Sequence, residues 1–398
     1  MTSGERMLTA MRNEMADRVP VAPDISTYIP MRHSGCTPQD FWMGTKSGVP
    51  HWQAYLDAAD YYGIDAWTAP AFGLPMVYED APVEWQYASE IDPQRDALIS
   101  RATVRTPDGD LHQETVCFRG DQAATTAKLI KDLATDFAKF KYTQPMPRDL
   151  DRAALDTYRE ACHARGHAFG VTITYPGFHM WNVYVQGGVQ ALAYAEMDTP
   201  GILQEWFELD MERGTREMRL ALEAGLDYVL FGGSGTLTLA SPKLVAKYAL
   251  PALKMWSAMA KAAGLPTMLH SCGKNRVLAD MLVAETDVGM LNPLEPPPMG
   301  DIDLAEVKRA LGDRLAFMGN LHTTDVMLLG SVEDVRRESL KAIRAAGEGG
   351  GFILSTGDQC GRDTPDANIF EMVSTAREFG DYPLDFDWID AEIGRQER

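Results

Sequence analysis

Five cysteines in 398 residues, at positions 36, 117, 162, 272 and 360, are too few, too scattered and odd in number for a disulfide framework. Free or metal-bound thiols in a reducing cytosol are expected instead. Long apolar runs are also missing. No stretch approaches the roughly 20 residues that span a bilayer, and residues 1–20 read as a polar amphipathic helix without the apolar segment of a signal peptide. A cytoplasmic chain with no membrane association is expected. Positive charge is scarce as well. With 37 Lys and Arg against 57 Asp and Glu, the net charge of −20 repels phosphate backbones and anionic lipid at long range, so nucleic acid is not an expected partner. No internal repeat, heptad run or low-complexity tail is visible.

What the chain does have is 45% hydrophobic residues, enough for a large core. Short apolar runs occur at 19–22, 64–68, 168–173, 228–231, 267–270, 288–291, 315–318 and 352–354. From the third onward they alternate with segments of helical periodicity such as 200–224, 241–263 and 331–346. Eight strands alternating with helices predict an α/β fold, a (β/α)8 TIM barrel in a single domain over 1–398, with function on the loops that follow the strands. The alternation breaks between the second and third strands. There 101–117 alternates about the turn Thr106-Pro107-Asp108-Gly109 and predicts an inserted β-hairpin at about 98–120.

Two of these strand ends carry metal-binding chemistry. His270-Ser271-Cys272-Gly273 closes one apolar run, and Cys360 follows another within Thr356-Gly357-Asp358-Gln359-Cys360-Gly361. A histidine and two thiolates, His270, Cys272 and Cys360, suit a catalytic zinc that keeps one coordination position open. Each residue taken singly is more often part of a core, and it is the shared placement at one barrel face that favours the metal. Asn292 and Glu295 after the sixth strand and Asn320 after the seventh should reach the same mouth. Glu295 is a displaceable fourth ligand, a support for the ligands or a solvent-facing group. His33-Ser34-Gly35-Cys36 lacks a partner pair, and Cys162-His163 with His167 belongs to the opposite face, so both are read as structural or surface features. Gly232-Gly233-Ser234-Gly235 lacks either nucleotide-binding glycine pattern and reads as a tight loop lining the pocket. Asp110-Leu111-His112 superficially resembles a cobalamin-binding motif, but the glycines that should follow are absent, so the chain itself should carry no corrinoid.

Together these residues resemble the uroporphyrinogen decarboxylase superfamily, and within it the zinc-dependent corrinoid methyltransferases of the methylcobamide:coenzyme M type. The resemblance is carried by Ser241-Pro242, His270-Ser271-Cys272-Gly273, Leu291-Asn292-Pro293-Leu294-Glu295, Gly319-Asn320, Cys360-Gly361 and Thr364-Pro365. It implies a (β/α)8 barrel, a Zn2+ ion on His270, Cys272 and Cys360, and a corrinoid (methylcobalamin) used as co-substrate or carried by a separate small corrinoid protein. It further implies catalytic roles for Asp65, Tyr184 and Glu295, and substrate contacts at Arg32, Asn292 and Asn320. Arg32, in Met31-Arg32-His33-Ser34-Gly35-Cys36, is then available for an anionic tail. The expected reaction is methyl transfer between a corrinoid and a small-molecule thiol. The alternatives are a corrinoid-dependent demethylase of a small methylated substrate and a decarboxylase-like lyase acting on a smaller carboxylic acid through Arg32, Asp65 and Tyr184. Whether the chain forms a homodimer is left open.

Overall fold

The computed structural model describes residues 1–43 and 49–396. Twelve strands are hydrogen-bonded among these residues: β1 (Met76–Tyr78), β2 (Glu84–Asp92), β3 (Ala97–Thr106), β4 (Gly109–Phe118), β5 (Ala124–Ala127), β6 (Pro147–Leu150), β7 (Gly170–Thr174), β8 (Tyr228–Gly232), β9 (Thr267–His270), β10 (Met290–Asn292), β11 (Ala316–Leu321) and β12 (Phe352–Thr356). The fold is α/β. Strands β7 to β12 form one six-stranded sheet in which every strand pairs in parallel with the next in sequence. Their sequences are near-continuous apolar runs, as a parallel sheet covered on both faces requires.

Alternation along these strands sorts side chains into two cores. Leu230, Met268, Met290, Met318 and Ile353 point into a cluster shared with Met7, Ala10 and Met11 of the helix Ser3–Met11. Val229, Phe231, Leu269, Leu291, Phe317 and Leu354 point the other way, against Leu253, Leu278, Leu282, Val307, Leu340 and Ile343 of the intervening helices. The helix Val332–Ala346 illustrates the local cause. Ser331 and Asp334 form a capping box at its start, and Val335, Ser339, Leu340, Ala342, Ile343 and Ala346 make its buried stripe. Burying each large aliphatic side chain there contributes roughly 1.5–3 kcal/mol. No described helix is long and apolar enough to cross a membrane.

The expected first two strands do not form ladders. Residues 19–22 touch the sheet through one parallel bridge, Val21 to Leu354, and 64–68 lie beside them with Asp65 N–H donating to the Val21 carbonyl at 2.8 Å. Pro20 within the first segment and Pro23 just after it have no N–H to offer, which limits its pairing. Gly73 makes the corresponding single bridge to Thr172 at the other sheet edge. The helix at the N-terminus ends at Met11, well short of the expected 1–20.

The chain between the second segment and β7 holds more than one hairpin. Strands β3 and β4 pair over their full length around 107–108, with Thr106 opposite Gly109, whose φ of +116° favours glycine. They are the centre of a four-stranded antiparallel sheet β2-β3-β4-β5, so the excursion is wider than 98–120. Along β2, eight of nine residues are exposed, with Glu84, Glu90 and Asp92 blunting this edge.

Asp65 takes a structural position, not the catalytic one expected for it. Its carboxylate accepts from Arg6 Nη1 at 2.7 Å and from the backbone of Val21 at 3.0 Å, and lies 3.0 Å from Arg18 Nη2. Both arginines and the aspartate are nearly buried, and Arg6 also pairs with Asp17. The network clamps the N-terminal helix to the two sheet-edge segments. Asp65→Asn leaves Arg6 and Arg18 without their shared counter-charge, and removing one partner of a buried ion pair costs about 3–5 kcal/mol. Urea unfolding is expected to show a loss of that order, with metal content of the folded fraction unchanged.

Candidate metal centre

Adjacent parallel strands end side by side, so the residues just after β9, β10 and β12 converge in the crevice where α/β proteins place ligands. Strand β9 ends at His270, whose successor Ser271 donates its N–H to the Asn292 carbonyl at 2.7 Å. The chain then turns at Gly273, with φ +84°. A Cβ there would lie 2.0 Å from Thr238 Oγ1, so only glycine fits. Cys272 is thereby presented two residues past one strand, and Asp358 two residues past β12.

Cys272 Sγ, one Glu295 oxygen and one Asp358 oxygen all lie within 4.8 Å of one another. Glu295 is buried and Asp358 half-buried. The backbone N–H of Gly273 donates to Glu295, which fixes that carboxylate toward the thiol. Burial raises the Glu295 pKa and the Asp358 charge raises it further, while the Gly273 bond and His270 oppose them. Two carboxyl groups gathered this closely disfavour ionising together, so the cluster favours a shared proton or a cation.

His270 borders the cluster. Its Nδ1 lies 2.7 Å from Asn292 Oδ1, which accepts the ring proton and leaves Nε2 free to ligate. Burial by itself disfavours the imidazolium, but a hydrogen bond to Cys272, the charges of Asp358 and Asp24, and the Asn292 contact outweigh it and raise the His270 pKa to about 9.

The positions expected for the site divide. His270, Cys272, Asn292 and Glu295 are brought together. Asn292 is 1% exposed and holds the His270 ring, where a substrate contact was expected. Cys360 stands outside the cluster, and His270, Cys272 and Cys360 do not share a 4.8 Å focus. Its N–H donates to the Asp24 carbonyl at 2.7 Å, which turns the residue back into the core at 1% exposure. Burial, chiefly, pushes its thiol up to about 12. Asp358 occupies the place expected for that cysteine.

Arg32 is spent on structure. It donates to the carbonyls of Arg362 at 2.8 Å and Thr364 at 2.9 Å and pairs with Asp366, anchoring the loop after β12. Tyr184 packs 5.0 Å from Phe140 and lines a separate small cavity with Asp210, Arg213 and Glu217. Asn320 is half-buried on β11, opposite Ser355.

Beside His270 and Asp358 opens a cavity of about 350 Å³ that also takes in Asp24, Trp67, His179 and the Gly232-Gly233-Ser234 loop. The Trp67 ring packs 5.9 Å from that of His270. Sequence reasoning passed over Asp358, Asp24, Trp67 and His179. For Asp358 a signal was present, since it follows its strand by the same two-residue step as Cys272, but the cysteine two places on drew the ligand assignment.

Residues 215–379 match the family model described as uroporphyrinogen decarboxylase (URO-D). The matched stretch contains every member of the cluster and the strands β8 to β12. The methylcobamide:CoM methyltransferase MtaA of Methanosarcina barkeri is 27% identical over 180 residues, 45% of this chain and 49% of that protein. A uroporphyrinogen decarboxylase of Synechococcus sp. is 33% identical over 114 residues, 29% of this chain and 30% of that protein. The chain thus spans about half the length of the methyltransferases it matches. Among solved structures, a methyltransferase from Methanosarcina mazei superposes with a TM-score of 0.64 over 95% of this chain and 99% of its own, at 19% identity. That likeness is one of fold, and it extends beyond residues 215–379 to nearly the whole chain.

The His270 shift has a consequence for the metal-free chain. Its folded pKa of about 9 exceeds the ordinary 6.5, so its contribution to stability is complete below pH 6.5 and is lost as pH rises through 9. The difference in urea midpoint between the metal-free chain and its His270→Gln variant is expected to shrink from pH 6 to pH 9.5. A difference that grows over this range contradicts the assignment.

Proposed function

We propose that this chain is a zinc-dependent methyltransferase that moves a methyl group between a corrinoid and a small heteroatom-bearing molecule. The observation that carries this reading is the Cys272, Glu295 and Asp358 cluster beside His270, one residue cluster at the carboxyl ends of neighbouring strands. The likeness to MtaA supports the methyltransferase assignment. The donor set fits zinc, which accepts sulfur, imidazole nitrogen and carboxylate oxygen together. His270 Nε2, Cys272 Sγ and an Asp358 oxygen would hold it, with Glu295 as a fourth, displaceable donor. A zinc ion held there supplies Lewis acidity, which lowers the pKa of a thiol acceptor or polarises the leaving heteroatom of a methylated donor.

The chain's own residues prepare this chemistry. Asn292 fixes the His270 tautomer by accepting the Nδ1 proton. The Gly273 N–H holds the Glu295 carboxylate against the site, where burial raises its affinity for a proton. The open cavity beside His270 admits the small reactant, and the corrinoid, on a separate protein, approaches from the same face. The six parallel strands, with 19–22 and 64–73 alongside their edges, support reading the whole chain as one closed (β/α)8 barrel with the antiparallel sheet inserted. The lyase alternative loses its basis, because Arg32, Asp65 and Tyr184 occupy three separate places.

Metal analysis separates the two candidate ligand sets. Cys272→Ala and Asp358→Ala are each expected to abolish stoichiometric zinc, whereas Cys360→Ala retains it. Loss of zinc from the Cys360 variant together with retention by the Asp358 variant would restore the original triple. Asn292→Ala should weaken zinc affinity by about 10–100-fold through loss of the His270 orientation, as read by competition with a chelating dye. In the zinc-loaded wild type, the visible spectrum of added methylcobalamin is expected to convert to that of Co(I) in the presence of a suitable acceptor. Conversion at the same rate without zinc contradicts the reading.

A further inference from the structure

A second, smaller cavity of about 40 Å³ lies beside the one that borders His270 and shares Thr174 and Met180 with it as a common wall. One face of the helix Pro200–Glu223 builds it, since Asp210, Arg213, Gly214 and Glu217 recur at helical spacing and all line the cavity. Trp181, Tyr184, Trp206 and Gln144 close other sides, and the exposed Thr174 stands at its opening to solvent. The volume holds about three water-sized groups.

Glu217 is the unsatisfied member. It is 8% exposed, lines the cavity and makes no hydrogen bond or ion pair, yet its oxygens are not sealed from a ligand. Burial, opposed by Arg213, raises its pKa to about 7. Asp210 is better compensated. Trp181 Nε1 donates to its Oδ2 at 2.7 Å, and this bond together with Arg213 opposes burial, leaving its pKa raised to about 6. Arg213 is engaged elsewhere, with Nε donating to the Pro145 carbonyl at 3.3 Å and the guanidinium 5.8 Å from the centre of the Tyr78 ring. The phenols that face this region, Tyr78, Tyr175 and Tyr184, are pushed by burial above their usual range and stay neutral. Above pH 7, two carboxylates against one guanidinium leave a single negative charge unmatched.

The hydrogen-bonding groups point the same way. Gln144 Nε2 donates to Thr143 Oγ1 at 3.0 Å, which leaves the Gln144 carbonyl oxygen, the Tyr184 hydroxyl and the Glu217 carboxylate as acceptors. The indole rings of Trp181 and Trp206 add an apolar wall without positive charge. Acceptors on one side and apolar surface on the other suit a small monovalent cation that brings N–H donors.

We propose that this cavity binds one small ammonium ion, ammonium itself or methylammonium, which pairs with the Glu217 carboxylate and donates to Tyr184 and Gln144. The site goes beyond the methyltransferase reading and does not depend on it, because no member of the metal cluster lines this cavity. Binding displaces the proton that burial otherwise keeps on Glu217, so affinity rises as pH passes through about 7.

Trp181 and Trp206 make tryptophan fluorescence a readout, and the unfolding midpoint is a second one. The full chain is titrated with the chlorides of ammonium, methylammonium, potassium and tetramethylammonium at constant ionic strength. The first two are expected to give a saturable change at pH 8, with apparent affinity about tenfold weaker at pH 6, where only about a tenth of Glu217 is ionised. Potassium brings no donors and tetramethylammonium is too large and has no N–H, so both should bind at least about tenfold more weakly. Glu217→Gln keeps the shape and removes the charge, and should weaken ammonium binding at pH 8 by at least about tenfold. The absence of a saturable response in both readouts overturns the proposal. So does potassium or tetramethylammonium binding as tightly as ammonium, or an ammonium affinity unmoved by Glu217→Gln. The pH comparison uses the unaltered chain and decides the matter independently of how the variant folds: equal affinity at pH 6 and pH 8 overturns the pairing with Glu217.

Discussion

The crowding of two carboxyl groups and a thiol within 4.8 Å of one another is the constraint around which the site is organised. Such a cluster is tolerated at a half-buried position only where a proton or cation is shared among its members. His270 and the Gly273 N–H supply part of that compensation, and a divalent metal would supply the rest. The parallel sheet creates the problem and positions its solution, because neighbouring strands running the same way bring their following loops to one point. No single segment of the chain contains the ligand set.

The opposite end of the sheet solves a different problem. There Asp65, Arg6, Arg18 and Asp17 form a nearly buried ionic network that ties the helix Ser3–Met11 against the inner core. Charge at that end is matched in ion pairs, whereas at the cluster end two carboxyl groups and a thiol face one another. The same residue type thus has opposite surroundings at the two ends: Asp65 is saturated by arginines, and Asp358 stands beside Cys272 and Glu295.

Much of the architecture was legible beforehand. The six apolar runs from 168 onward match hydrogen-bonded strands to within a few residues, because a strand buried on both faces must be apolar at nearly every position. The runs at 19–22 and 64–68 carry the same signature but form only isolated contacts. Apolar patterning reports burial, not hydrogen bonding, and flanking prolines remove donors. At the site, His270, Cys272 and Glu295 were visible because residues two apart beyond a strand end, and a carboxylate beyond the next, form a local pattern. Arg32 and Tyr184 lie apart from the cluster, because which partner engages a long polar side chain depends on distant segments, here the 362–366 loop and the Phe140 and Trp206 rings.

The sequence by itself determined the α/β class, the parallel strand order, the inserted antiparallel hairpin and the strand end that carries His270 and Cys272. These follow from periodicity and short-range spacing, which act along the chain. Only the tertiary structure shows that Asp358, and not Cys360, stands beside Cys272 and Glu295. Both lie in the same loop, and one backbone hydrogen bond to Asp24 accompanies the cysteine's burial in the core. A contact between residues more than 300 positions apart leaves no local trace in composition or pattern. The side chain that a loop presents is set by what its backbone is pinned to.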